Sequence, residues 1–406
     1  MTHVRHACPA LSAPMETGDG LLVRLLPTGP IPLDAFIGLC AAARAHGNVV
    51  MEITARGSVQ VRGLMPISAP LFVAQVAAFD LDICEGVAVI ADPLPDDPAA
   101  LIDAHGLAAA LRRAIAAAML VLAPKVSVVV DGGGRLGLDA LFADIRLRAL
   151  ATPEGPKLQL ALAGDVASAT PLGVLSVEEA VDTVLALLTS IAAVGPEARA
   201  ADLLPAPNAG ARVATTPQPR PQAIGRHPLK DHAVALGLGL AFGQAQADEL
   251  AELARLAQIN GAGWLRPAPD RALLLGPLSA ASASAMTQAA QARGFVVEAA
   301  DPRRRIAACP GAPACTHGLI AARALAAEIA RHVTLHGDGI AIHVSGCAKG
   351  CAHPGSAPLT VVGTSQGCGI VRDGAAQAAP SAFCNPADLV GVLDRILGKA
   401  RETVDA

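Results

Sequence analysis

The chain has no tyrosine, one tryptophan and seven phenylalanines among its 406 residues. So few flat side chains leave no platform on which nucleic-acid bases stack. A basic excess is missing too: 31 Lys and Arg stand against 35 Asp and Glu, a formal charge of −4, which excludes the electrostatic footprint of a nucleic-acid binder. Long apolar runs are also absent. The run Ala114–Ala123 stops at Pro124–Lys125, and Thr183–Val194 is about 12 residues against the roughly 20 needed to cross a bilayer. The opening Met1-Thr-His-Val-Arg-His-Ala-Cys-Pro9 lacks the apolar core of a secretory signal. A cytoplasmic protein that binds neither nucleic acid nor membrane is expected.

The chain is instead 52% hydrophobic and only 16% charged, enough apolar material for several buried cores. Single cores seldom grow past about 250–300 residues, so several compact units are expected. Nine cysteines, an odd number without an export signal, make a poor disulfide framework. Six of them (Cys309, Cys315, Cys347, Cys351, Cys368 and Cys384) fall in the last hundred residues, and four of those form two close pairs. Metal ligation is the better reading. Cys40 and Cys84 read as small buried hydrophobes, and His3, His6 and Cys8 as part of a flexible N-terminus.

Hydrophobic periodicity predicts a strand at Gly20–Pro27, a helix at Leu33–Ala45 and a strand pair over Val49–Leu64, broken by a turn at Arg56–Ser58. A new unit starts near Pro93–Pro98, with helix Ala100–Leu122, strands Val126–Val130, Asp144–Leu150 and Leu158–Leu162, and helix Val177–Ile191. Residues 196–230 carry seven prolines and little periodicity, the composition of a linker. Strand Ala235–Phe242 and helix Ala247–Leu256 then repeat the opening pattern. Set against Ala45–Leu64 at an offset of 214, Ile259–Leu278 aligns Gly261 with Gly47 and Leu278 with Leu64, which points to an internal duplication. The expected units are 1–80, 81–195, the linker 196–230, 231–300 and 301–406. Gly132-Gly-Gly-Arg-Leu-Gly137 fits G-x-G-x-x-G, but the next segment reads as strand rather than helix. It is expected to be a hairpin turn, leaving no nicotinamide- or flavin-binding fingerprint.

The densest chemistry lies in Cys309-Pro-Gly-Ala-Pro-Ala-Cys315, then 31 residues, then Cys347-Ala-Lys-Gly-Cys351. A helix is expected over Thr316–Val333 and a strand over Ile340–Ser345, which puts both pairs on loops at element ends where they can converge on one centre. Gly311, Gly346 and Gly350 would let backbone N–H groups approach the sulfurs, and a helix start after Cys315 would favour anionic thiolates. Four thiolates suit a cubane iron–sulfur cluster or a structural zinc. Zinc ribbons use Cys-x₂-Cys knuckles, from which x₅ and x₃ spacings depart.

This spacing, preceded by Thr54-Ala-Arg-Gly-Ser-Val-Gln-Val-Arg-Gly-Leu64, resembles the sulfite/nitrite reductase superfamily, in which a [4Fe–4S] cluster adjoins a sirohaem. Within it, Cys8-Pro-Ala-Leu-Ser-Ala-Pro-Met-Glu-Thr-Gly-Asp-Gly-Leu-Leu-Val-Arg24 and Ser345-Gly-Cys-Ala-Lys-Gly-Cys-Ala-His-Pro354 resemble the precorrin-3B synthase family of aerobic cobalamin biosynthesis. The likeness runs from Cys8 to about Gly363 and is weakest in the middle.

The resemblance implies an α+β fold of duplicated ferredoxin-like half-modules and two α/β sulfite/nitrite-reductase-like modules. It makes Cys309, Cys315, Cys347 and Cys351 the metal ligands. Arg56 stands in the Thr-x-Arg-x-x-x-Gln motif with Gln60, and Lys125 matches the first lysine of the reductases' Lys-x-Lys pair. Ser127 replaces the second lysine, and no arginine stands around Gly86–Pro93, so the small-anion site is depleted. The implied substrate is the tetrapyrrole itself, precorrin-3A, hydroxylated and lactonised with oxygen. The electrons would come from an external donor, NADH through a reductase or a ferredoxin.

A polycarboxylate macrocycle needs guanidinium and ammonium partners. The candidates are Arg56, Gln60, Arg62, Lys125, Arg266, Arg271 and Lys349, with Arg303, Arg304 and Arg305 as a charge run that is equally well solvated surface. The resemblance leaves open how oxygen is activated. A non-haem iron would find His343, His353 or His317 as ligands, whereas a histidine near a cluster also serves as a donor to sulfur. The alternative within the superfamily is a sirohaem-dependent sulfite or nitrite reductase, in which Cys351 would bridge to the sirohaem iron. A non-enzymatic electron-transfer protein is the third reading, and the large duplicated architecture counts against it.

Overall fold

A computed structural model describes residues 9–205, 220–333, 335, 339–353 and 355–402. Cys8 and Pro354 lie outside the described residues. Along the first quarter run β1 (Met15–Thr17), β2 (Gly20–Leu25), β3 (Ile31–Pro32), α1 (Leu33–His46), β4 (Val50–Ile53), β5 (Val59–Leu64) and α2 (Ala69–Ala77). Then come β6 (Ala88–Ala91), α3 (Ala104–Ala118), β7 (Ser127–Asp131), β8 (Ala143–Thr152), β9 (Gly155–Gly164), β10 (Thr170–Leu175) and α4 (Ala180–Val194). The second half repeats this order. β11 (Gly225–Pro228), β12 (Val234–Gly239), β13 (Gln244–Gln246), α5 (Ala247–Ile259), β14 (Trp264–Ala268), β15 (Ala272–Leu278) and α6 (Ala280–Ala292) come first. β16 (Ile306–Ala308), α7 (Ala322–His332), β17 (Ile342–Ser345), β18 (Ala357–Thr364), β19 (Gly367–Gly374), β20 (Ala382–Cys384) and α8 (Leu389–Glu402) follow.

The duplication reaches further than the sequence match. β2 and β12, α1 and α5, and β8 and β18 each start 214 residues apart. The two halves also exchange strands: β3 pairs with β14 of the second half, and β13 pairs with β4 of the first. The sheets are therefore β1-β2-β5-β4-β13 and β11-β12-β15-β14-β3, each completed by the other half. Their helices share one core, in which Leu33, Phe36, Leu39 and Ala43 of α1 and Leu250, Leu253, Ala254 and Ala257 of α5 are all buried. Splitting the halves would expose both apolar stripes at about 25 cal/mol per Å².

The other two sheets, β10-β9-β8-β7-β6 and β16-β17-β18-β19-β20, have one topology. Three strands are parallel (β6-β7-β8, β16-β17-β18) and the rest antiparallel. A parallel strand is covered on both faces, and β7 obeys this: Val128 and Val130 enter one core while Val129 enters another. Both parallel segments aim their C-terminal ends, and the loops that follow, at the same side of the sheet.

Several sequence expectations shift here. Residues 132–142 do not form a hairpin, because β7 and β8 are parallel, with Val128 opposite Ile145 and Val130 opposite Leu147; the chain loops back before re-entering the sheet. No helix follows the glycines, so a dinucleotide fingerprint is absent from this loop. The helix expected from Thr316 starts at Ala322, because residues 316–321 are held in the cysteine loop by Leu319 N–H donating to Gly346 C=O at 2.8 Å. In the stretch 196–230, Arg199 makes a two-pronged ion pair with Asp144 (2.8 and 2.7 Å), and β11 pairs with β12. Among the described residues no helix is long and apolar enough to cross a membrane.

Candidate functional site

β16 and β17 are adjacent parallel strands, so the loops leaving them start side by side. Cys309 is the first residue after β16, and Gly346-Cys347 directly follows β17. The Gly346 N–H donates to Cys309 Sγ at 3.0 Å. Both walls are bare backbone. A Cβ on Gly346 would stand 2.9 Å from Gly311 Cα and 3.4 Å from Cys309 Sγ, and one on Gly363 of β18 would meet Gly346 O at 2.2 Å. Cys315 closes a turn, its N–H donating to Gly311 C=O at 2.8 Å, and lies against Gly18 of the β1–β2 turn, where a Cβ would be 2.5 Å from Cys315 Sγ. Thr316 fixes that junction through N–H and Oγ1 bonds to Gly18 C=O at 3.0 and 2.8 Å.

The four thiols act on one another electrostatically. Burial pushes the Cys309 thiol up, against the amides of Gly346 and Gly311, and Cys347 and Cys315 add to the rise. Burial also raises Cys351, with Cys309 and Cys347 adding and Arg62 opposing. Thiolates gathered this way need a cation to be stable there, which metal ligation supplies. Among the described residues no three His, Cys, Asp or Glu side chains close to the spacing of a single-ion site. A cubane presents its irons at separate corners and does not impose that spacing. Four thiols on two converging loops are the kind of donor set that a four-iron cluster would use.

Beside the cysteine loops lies a largely buried polar floor built on β4 and β5. Arg62 grips Asp19 with two 2.8 Å bonds and reaches Glu52 at 3.3 Å. Gln60, with its amide oriented to satisfy both neighbours, donates to Glu52 at 2.7 Å and accepts from Arg24 at 2.9 and 2.6 Å. Gln244 of β13 also bonds Glu52, bringing the second half into the network. Burial raises the Glu52 carboxyl, while Arg62 and Arg323 pull it down. Arg323, in the first turn of α7, also feels Cys309, so the floor and the cysteine loops share one field.

The other candidates are more scattered. Arg56, on the β4–β5 turn, bonds Phe142 C=O and bridges to Pro269, so the two pseudo-equivalent hairpin turns touch. Arg271, in the facing turn, packs on Gly243 and senses Glu52. Arg266 is buried, donates toward His105 Nε2 at 3.2 Å and is lowered by burial to about 10. Lys125 is exposed at the start of β7, the end remote from the Gly132 loop, and Lys349 is exposed within the cysteine loop. Ser127, at the second-lysine position, is buried with its N–H on Asp144 Oδ2 at 3.0 Å. Arg303 pairs with Asp301 and Arg304 with Asp270, while Arg305 donates to Gly339 C=O at 3.3 Å. His343 and His353 rings stand edge to face, 5.7 Å apart, while His317 lies beside Gly18.

In the first half the equivalent of Cys309 is Asp92, the first residue after β6. Gly132, 214 residues before Gly346, donates to both its oxygens at 3.1 and 3.0 Å. Burial, then Asp131, push its carboxyl up to about 7.

No family model matches the chain. A precorrin-3B synthase of Sinorhizobium sp is 38% identical over 413 residues, covering 99% of this chain and 90% of that protein. The chain belongs to the precorrin-3B synthase family. Two ferredoxin–nitrite reductases, of Synechococcus elongatus and of Spinacia oleracea chloroplasts, are 27% and 26% identical over 34% and 36% of this chain. The structure of Mycobacterium tuberculosis NirA protein superposes with a TM-score of 0.66 at 17% identity, over 93% of this chain and 80% of that one. This chain and NirA protein thus share one α+β fold. In this member of the precorrin-3B synthase family, sequence reasoning passed over Asp19, Glu52, Arg24, Gln244 and Arg323. Asp19 and Arg24 both stood in the motif that ends at Arg24; Glu52, Gln244 and Arg323 carry no spacing signal, because the network that joins them spans both halves.

Proposed function

We propose that this chain acts in cobalamin biosynthesis, converting precorrin-3A to precorrin-3B by oxygen-dependent hydroxylation and lactone formation, with a [4Fe–4S] cluster on Cys309, Cys315, Cys347 and Cys351. What supports the reading is the 38% identity over nearly the whole chain together with the convergence of both cysteine loops, carried by the Gly346–Cys309 hydrogen bond. The cluster, when bound, supplies one-electron transfer from an external donor such as a ferredoxin or an NADH-linked reductase. The protein's own part is to seat the macrocycle and exclude water.

Seven side chains are assigned to the tetrapyrrole: Arg56, Gln60, Arg62, Lys125, Arg266, Arg271 and Lys349. Their geometry divides the work. Lys349 is exposed enough to meet a carboxylate and Arg56 is half-buried against Phe142 C=O, whereas Arg62 and Gln60 are engaged with Asp19, Glu52 and Arg24 and act by holding the floor rigid. A non-haem iron taking part in oxygen activation would draw on His343, His353 or His317, of which the first two have their rings 5.7 Å apart. The unit boundaries at 80, 195, 230 and 300 belong to the same reading; the repeated order of elements supports those at 80, 195 and 300, whereas β11 (Gly225–Pro228) already opens the second half before 230.

The test is turnover of precorrin-3A with oxygen and a reductant. The wild type should form product, and Cys347→Ser should lose both cluster absorbance and turnover. A protein with intact cluster and bound substrate but no oxygen consumption would refute the proposal. The nitrite reductase matches sustain the alternative, a sirohaem enzyme, to which the buried Ser127 is adverse. Extractable sirohaem in the isolated protein would favour that alternative.

A further inference from the structure

Two cysteines outside the cluster loops face each other across the last pair of strands. Cys368 of β19 is the register partner of Cys384 of β20, the edge strand of its sheet. Directly opposed residues on antiparallel strands have Cα atoms about 4.5–5.5 Å apart, inside the range a disulfide spans. Each thiol also feels the other electrostatically, and burial pushes both thiols up.

Their surroundings differ. Cys368 is fully buried in the core of the second α/β module, while Cys384 is half-buried on an edge whose neighbour Phe383 is 49% exposed. One sulfur can thus meet a small oxidant from solvent and the other can resolve the product from inside. Neither is engaged with the cysteine loops, yet they are close to them through the backbone. Cys368 is the register partner of Gly363, and Gly363 backs directly on Gly346, the donor to Cys309.

We propose that Cys368 and Cys384 are a peroxide-oxidisable dithiol that forms a reversible cross-strand disulfide. The Cys384 thiolate attacks hydrogen peroxide, the O–O bond breaks, and a sulfenic acid forms as hydroxide leaves. Cys368 sulfur then attacks Cys384 sulfur; the S–S bond forms, the S–O bond breaks, and the departing hydroxide takes the Cys368 proton as water. Two thiols are oxidised by two electrons in all, and one peroxide is reduced to two waters. A dithiol reductant reverses the change. The bond would staple the edge strand to the sheet, closing a short loop and so raising thermal stability.

The test uses the full chain as isolated, treated with stoichiometric hydrogen peroxide, alkylated, digested and mapped by mass. The expected result is a peptide pair joined at Cys368 and Cys384, lighter by two hydrogens, with a rise in Tm that dithiothreitol abolishes. Cys384→Ser should yield neither the linked pair nor the Tm shift, and Cys368→Ala should stop at an oxidised, unlinked Cys384. Recovery of both residues alkylated after peroxide treatment would overturn the proposal. So would oxidation of Cys384 to a sulfinic acid without cross-linking in the wild type.

Discussion

Gly346 donates its N–H to Cys309 Sγ at 3.0 Å. The same relationship stands 214 residues earlier, where Gly132 donates to the Asp92 carboxylate. One fold position thus holds sulfur in one half and oxygen in the other. In the first half Gly133, Gly134 and Arg135 follow the donor glycine where Cys347, Ala348 and Lys349 follow it in the second. A duplicated backbone cradle was kept, and its acceptors diverged.

The cradle is sensitive to a single methyl group. A Cβ at Gly363 would meet Gly346 O at 2.2 Å, a contact with backbone that no rotamer change relieves. Gly363→Ala should displace the Gly346–Cys347 turn, cost about 1–3 kcal/mol as overpacking does, and lower iron per chain more than it lowers folded protein. Metal analysis beside a thermal melt checks this. Normal iron content in Gly363→Ala would speak against a tight fit between β18 and the cysteine loop.

Asp92 sets a pH dependence. Its carboxyl is raised to about 7 in the folded protein by burial first and by Asp131 second, against about 4 in the unfolded chain. The folded state therefore binds the proton more tightly, and this contribution to stability is present at low pH and lost as pH rises from about 4 to about 7. Asp92→Asn keeps an acceptor for Gly132 without the charge. Its stability relative to wild type should rise with pH across that window and level off above it, read from urea midpoints at several pH values.

The Asp19–Arg62 pair is structural. Asp19 is lowered by Arg62, though burial opposes this, and the two groups make two 2.8 Å bonds with little solvent contact. Removing one partner of a buried pair strands the other charge, at a cost of about 3–5 kcal/mol. Asp19→Ala should unfold at lower urea by that amount, and Arg62→Met with Asp19→Leu should recover part of it. A loss below about 1 kcal/mol in Asp19→Ala would place the pair among surface ion pairs.

Lys349 is exposed in the cysteine loop, and its backbone carbonyl accepts from Gln377 at 3.3 Å, which holds the loop independently of the ammonium. Lys349→Gln should therefore leave the cluster spectrum unchanged and weaken tetrapyrrole binding by about tenfold, the loss of one charge-assisted contact. A spectral titration measures it; unchanged affinity would remove Lys349 from the binding set.

The pairing of the two cysteine loops was legible because spacing and flanking strands are local signals, and Cys347 directly after Ile342–Ser345 is such a signal. The 214-residue repeat was legible around Gly47 and Gly261 for the same reason. The strand exchange was not, since β3 and β13 are two and three residues long and their partners are more than 190 positions away. Gly132–Leu138 misled as a hairpin because glycines mark a turn without saying whether the next strand runs parallel or antiparallel. The polar floor was half legible: Arg62 and Gln60 were named, but Asp19 and Glu52 were not, because sequence shows a cation without the acids that the fold places beside it.

The most direct test of the central claim is iron and acid-labile sulfide content, with the optical spectrum, of anaerobically purified wild type and Cys309→Ser. The account predicts about four irons and four sulfides per chain, a broad visible absorbance, and loss of both in Cys309→Ser without unfolding. One zinc per chain, or a cluster that survives intact in Cys309→Ser, would contradict it.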